Sequence, residues 1–212
     1  MVATNGSQWN QLESNGIIEE KKREENNIEE KNEEDGVDSV DSADESTNAT
    51  DYNKALRETK QERINESIGI VNNIGHWDVE IRNNQIIIWT KQNEEAKDIY
   101  FQLNQLGYDC RNVQGSDSIQ KKEKDLLGFA YNENQILITK QSIASQGLNY
   151  QNCAYQIFNS FDFRFEQSYQ AMRRSWRYGQ KREVTCYMST TDRMINVIKI
   201  QQDKHLSFKI MQ

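Results

Sequence analysis

The sequence predicts an α/β domain, a parallel sheet with helices on both faces, preceded by an acidic disordered segment. Three observations carry this. From residue 85 onward, short β-branched runs alternate with longer stretches of helical period. The strand-like runs are apolar throughout rather than alternating, the mark of strands buried on both faces. Residues 1–50 hold few large apolar side chains and cannot offset their own ordering entropy.

Charge divides the chain at the same place. The whole carries −7 over 212 residues. Residues 1–50 hold 14 Asp/Glu against 4 Lys/Arg, a balance of −10, and the other 19 acids and 22 bases give residues 51–212 +3. A mildly basic domain behind an acidic segment is compatible with nucleic acid. The acidic segment reads as a solvated tail; the functional alternative is a phosphate mimic lying on the basic groove. Asp44-Glu45 has no apolar strand before it and is discounted as a metal-binding box.

The elements follow in order. Tyr52 to Ile74 is helical, with Leu56, Ile64, Ile68 and Val71 as its apolar stripe. Gly75 and Asn83-Asn84 punctuate before the first strand. Strands are expected at Ile86–Trp89, Tyr108–Val113, Ile136–Thr139, Ala154–Phe158 and Val184–Met188. Helices are expected at Glu94–Leu106, Ile119–Phe129, Phe165–Trp176 and Arg193–Gln201. Crossovers between parallel strands are right-handed. Thr90, Gln114–Ser116, Thr139–Lys140 and Asn159–Asp162 fall at carboxyl ends of strands, where ligand sites of open parallel sheets gather.

Composition excludes several classes. Cys110, Cys153 and Cys186 are odd in number and widely spaced, so they read as reduced core residues of a cytoplasmic protein. His76 and His205 form no ligand pattern, and no zinc site is expected. No run is long and apolar enough for a membrane span, and the N-terminus lacks the order of a signal peptide. Proline is absent and there is no internal repeat.

The segment Gln170-Ala-Met-Arg-Arg-Ser-Trp-Arg-Tyr-Gly-Gln180 carries the chemistry. Read as one helix, it sets Gln170, Arg174 and Arg177 at i, i+4 and i+7 on a single face. Phe165, Tyr169, Met172 and Trp176 form a buried stripe on another. Trp89 and Trp176 are both assigned to the core, though either could stack a base. Arginine suits planar recognition of phosphate and keeps its charge. Arg173 lies between the faces and would pair with an acid.

These segments resemble the second, C-terminal RecA-like domain of superfamily-two helicases, of the Swi/Snf-type and phage-type DEAD/DEAH-box branch. Gln170 to Gln180 is similar to that family's last motif, Gln-Ala-x-x-Arg-x-x-Arg-x-Gly-Gln. Ile136-Leu-Ile-Thr-Lys140 with Ser145-Gln-Gly-Leu-Asn149 resembles the motif before it. Gln85 to Thr90 is similar to the opening strand, and Val113-Gln-Gly-Ser116 is set against the next turn; in this chain those four residues read Val, Gln, Gly, Ser. The match runs from Leu56 to about Lys199. Arg173 stands where Swi/Snf members usually have Gly, and the turn between Thr139 and Gly147 is slightly longer than in chromatin remodellers.

The resemblance implies arginine fingers at Arg174 and Arg177, presented at the sheet rim to ATP with Mg²⁺ held mainly by another domain. It implies that Gln170 bonds the phosphate region or its partner motif and that Gly147 and Asn149 form the loop joining nucleotide to nucleic acid. Thr90, Gln114, Ser116, Thr139 and Lys140 are the implied contacts to a nucleic-acid backbone, DNA by preference. No Gly is followed by Lys, so there is no Gly-x-x-x-x-Gly-Lys-Ser/Thr phosphate loop. The chain is therefore expected to be the second half of a helicase or translocase motor, inactive alone, needing an N-terminal RecA-like partner in cis or trans. The rival expectation is a non-catalytic interaction module that kept the fold.

Overall fold

A computed structural model describes residues 2–5, 51–77, 85–144, 148–160, 165–189 and 191. In chain order the elements are β1 (Val2–Asn5), α1 (51–58), α2 (Lys60–Trp77), β2 (Gln85–Trp89), α3 (Asn93–Gln105), β3 (Cys110–Val113), α4 (Ile119–Ala130), β4 (Ile136–Thr139), α5 (Gln141–Ala144), β5 (Cys153–Phe158), α6 (Phe165–Ser175) and β6 (Thr185–Met188). The sheet order is β1-β6-β5-β2-β4-β3. Strands β2 to β6 are parallel, as expected from their uninterrupted apolar character. β1 adds an antiparallel edge, Val2 opposite Met188 and Asn5 opposite Thr185. The rest of the acidic segment and the expected helix Arg193–Gln201 lie outside the described residues. Among the described residues no helix is long and apolar enough to cross a membrane.

Successive strand residues point to opposite faces, and each face carries its own core. Ile86, Ile88, Ile136, Ile138 and Ile157 face α2 and α3, meeting Ile64, Val71, Ile99 and Leu103. Ile87, Trp89, Leu137 and Phe158 face the other way, meeting Leu56, Phe129, Tyr150 and Ala171. The expected stripe Leu56, Ile64, Ile68 and Val71 is buried along its whole length, although its first member serves the opposite core from the other three.

Between the cores, at the carboxyl ends of the strands, lies a polar knot. Arg63 of α2 is 0 % exposed and forms an ion pair with Glu95 of α3, itself wholly buried. Arg63 Nε donates to the Asn159 carbonyl at 2.9 Å and Nη2 to the Leu56 carbonyl at 3.0 Å. Glu95 accepts from the Ser160 hydroxyl at 2.9 Å, and Ser160 Oγ accepts from the Lys91 amide at 2.7 Å. Ser67 donates to Asn159 Oδ1 at 2.8 Å. One charge pair thus ties two helices to the ends of β2 and β5.

Glu95→Ala leaves Arg63 buried without its counter-charge and is expected to cost about 3–5 kcal/mol in denaturant unfolding; a loss below 1 kcal/mol would show that the pair does not hold these elements. The thiols of Cys110, Cys153 and Cys186 are free and buried, and burial pushes each up to about 12. At pH 8 they are expected to react with a disulfide reagent only as the protein unfolds, and rapid labelling of the native chain would contradict that placement.

Candidate nucleotide and nucleic-acid site

Helix α6 sits close to the sheet because its buried residues are small. Ser168, Ala171 and Ser175 face inward, with Met172 half-buried beside them. Gln156 of β5 joins the layers: its Oε1 accepts from Trp89 Nε1 at 2.8 Å and its Nε2 donates to the Met172 carbonyl at 3.1 Å. The Tyr150 amide donates to the Arg174 carbonyl at 3.0 Å. As α6 advances from Met172 to Arg174, its partners step back from Gln156 to Tyr150, so the helix runs antiparallel to β5.

That direction corrects the expected placement of the arginines. Arg174 and Arg177 lie level with the amino end of β5, not at the carboxyl rim with Thr90, Lys140 and Asn159. A helix following a strand must reverse to pack on it, so its C-terminus returns to where the strand began. The chain between β4 and β5 makes the connection. It leaves the carboxyl rim at Lys140 and reaches the arginines at Leu148, whose carbonyl accepts from Arg174 Nη1 at 3.1 Å.

The helix also stops sooner than its spacing suggests. It ends at Ser175, and Arg177 stands in the turn beyond it rather than on its face. Gln180 caps the end, its Nε2 donating to the carbonyls of Ser175 at 3.4 Å and Cys153 at 3.2 Å. Gly179 reverses the chain at φ 96°, and the Gln151 amide holds the Tyr178 carbonyl. Trp176, expected in the core, is 46 % exposed, because the buried face of the helix runs through Ser168, Ala171 and Ser175 and leaves Tyr169 and Met172 only half-buried. The Arg173 guanidinium lies 5.0 Å from the Trp176 ring centre, so among the described residues it meets an aromatic face where an acid was expected.

Among the described residues neither Arg174 nor Arg177 meets a carboxylate. Arg174 Nε is buried and has no hydrogen-bond partner among the described residues. Burial first, and then the charge of Arg177, lower the Arg174 pKa, with Tyr150 opposing. The Tyr150 hydroxyl is likewise buried without a partner, and burial raises its pKa. The exposed Gln170 donates its amide to Glu166 at 2.9 Å, within the helix surface. Asn149 is exposed, and Gly147 lies outside the described residues.

At the opposite rim the five expected backbone contacts separate. Thr139 is fully buried and its hydroxyl donates to the Val113 carbonyl at 3.1 Å, so it has no surface to offer. Thr90 is also buried, with an unpartnered Oγ1. Gln114 and Lys140 are half-buried and Ser116 is exposed. Lys121 and Lys122 escaped the sequence reading. They belong to α4, but Lys121 pairs with Asp117 at 2.9 Å and Lys122 donates to the Gly115 carbonyl at 2.6 Å, placing both beside Ser116. The lysine pair at the head of a helix following that turn was the available signal.

The helicase conserved C-terminal domain family matches residues 59–179, more than half of the chain. This chain belongs to that family, and its fold is the C-terminal RecA-like domain of superfamily two. The solved C-terminal part of the Fun30 ATPase domain is similar, with a TM-score of 0.53 at 20 % identity, over 64 % of this chain and 44 % of that one. The C-terminal domain of the DEAD-box protein Dbp5 is similar with a TM-score of 0.56 at 13 % identity, over 68 % of this chain and 79 % of that one. The chain thus spans less than half the length of the Fun30 piece. No curated protein matches it significantly in sequence.

Gly179→Ala is expected to destabilise the chain by about 1–3 kcal/mol, since φ 96° disfavours a side chain and the new Cβ would stand 3.1 Å from Gln151 Nε2. Unfolding at unchanged denaturant concentration would show that the turn is not clamped.

Proposed function

We propose that this chain is the C-terminal motor half of an ATP-dependent helicase or translocase, supplying Arg174 and Arg177 to a nucleotide gripped by a separate RecA-like domain. What supports this most is the unsatisfied guanidinium of Arg174. A half-buried cation with an orphaned N–H, a like charge beside it and no carboxylate among the described residues is costly to keep. A phosphate meeting the exposed part of Arg174 and the exposed Arg177 would neutralise both cations, so the residues present fit the phosphate end of ATP. Among the described residues no three His, Cys, Asp or Glu side chains gather to hold a metal ion, and Mg²⁺ is assigned to the other domain.

Bound ATP with Mg²⁺ supplies the γ-phosphoryl group whose transfer to water releases the driving energy. The chain's own part is electrostatic. Arg174 is preset by the Leu148 carbonyl, and Arg177 projects from the capped turn, so little reorganisation is needed when charge builds on the equatorial oxygens. Gln170 and Asn149 would approach the phosphates from the exposed side. Gln114, Ser116 and Lys140, joined by Lys121 and Lys122, would hold the backbone of a DNA strand without reading sequence. Because Arg174 is bonded to the Leu148–Tyr150 stretch, a phosphate that draws the guanidinium draws on the strand-to-strand connection that begins at Lys140.

With a domain carrying a phosphate loop added, the full chain is expected to support DNA-stimulated ATP hydrolysis. Arg177→Ala should lower turnover by ~10³-fold with DNA affinity nearly unchanged. Equal turnover in the variant would remove the finger assignment.

A further inference from the structure

The turn that carries Arg177 also exposes an aromatic ring that the fold does not use. Tyr178 is fully exposed, at 102 %. Its ring has no hydrogen bond or ring contact among the described residues; only its backbone is engaged, by Gln151. That backbone is held firmly. The Gln180 amide donates to the Arg177 carbonyl at 3.0 Å, Gln180 Nε2 caps the helix end, and Arg182 bonds the Asn152 carbonyl across the turn. A ring on a mobile loop would be unremarkable in solvent, but this one is displayed from a fixed frame, next to a guanidinium with no counter-charge among the described residues.

Trp176 does not compete for the same role, because the Arg173 guanidinium already covers its ring. Tyr178 follows Arg177 directly in sequence and leaves its ring uncovered. A cation that wants phosphate, followed directly by an open π-face, matches the two ends of a nucleotide: anion at one, flat base at the other.

We infer that Tyr178 is a stacking residue for the base of the nucleotide whose phosphates meet Arg174 and Arg177. This rests on the phosphate reading above and adds the base-binding half of the same site. Stacking uses the ring face and needs no hydrogen bond from the hydroxyl, so it tolerates any base.

The test titrates the full chain, mixed with the domain carrying the phosphate loop, at low salt with ATP and, separately, with inorganic tripolyphosphate, which has the phosphates but no base. The unaltered chain should bind ATP more tightly than tripolyphosphate. Tyr178→Ala should weaken ATP about tenfold, towards the tripolyphosphate value, and leave tripolyphosphate where it was. Tyr178→Phe should keep ATP affinity. Arg177→Ala should weaken both probes, which tests the phosphate reading independently. Equal affinity of the unaltered chain for the two probes overturns the stacking role, as does a Tyr178→Ala variant that binds ATP normally or loses both probes equally. Should that variant bind both probes normally but associate less well with the domain carrying the phosphate loop, the ring is a protein contact and the inference fails. If, with that domain present, Arg177→Ala binds both probes as tightly as the unaltered chain, the phosphate reading fails and the base role with it.

Discussion

The register of α6 on β5 is the constraint on which the rest depends. Small side chains at Ser168, Ala171 and Ser175 let the helix approach the sheet, and the bond from Gln156 to the Met172 carbonyl fixes how far along it sits. Sliding the helix by one turn would carry Arg174 about 5.4 Å from the Leu148 carbonyl. Both guanidiniums would then lose their shared position. The functional geometry therefore rests on residues that carry no charge.

The two ends of the sheet treat polar groups differently. At the carboxyl rim the Arg63–Glu95 pair and its neighbours are bonded to one another, and their role is to hold α2 and α3 against β2 and β5. At the amino end of β5, Arg174 is left partly unsatisfied. A fold that can neutralise one buried arginine so fully has the means to neutralise another. Leaving Arg174 partly unsatisfied lowers stability, and the proposed phosphate role would account for that trade.

The Gly-Leu-Asn stretch acquires its meaning from this arrangement. The connection that contains it leaves the end of β4 and enters the start of β5, at opposite ends of the parallel strands. Any connection between parallel strands must do this. Here the crossing is bonded at its far end to Arg174 through both the Leu148 carbonyl and the Tyr150 amide.

Local chemistry alone determined the five parallel strands, most helix limits and the buried thiols. Fully buried strands must be apolar along their length, and hydrophobic period survives without knowledge of the partner. Tertiary structure decided the remainder. Whether Arg63 is buried depends on Glu95, 32 residues away, which no local pattern reveals. Arg177 leaves the helix because Gly179 and Gln180 end it from outside, reaching across to Cys153. The short β1 pairs with a strand at the other end of the chain. And the arginines stand at the amino end of β5 because a helix packing on the strand before it must run backwards, which is a property of the assembled layers and of no single segment.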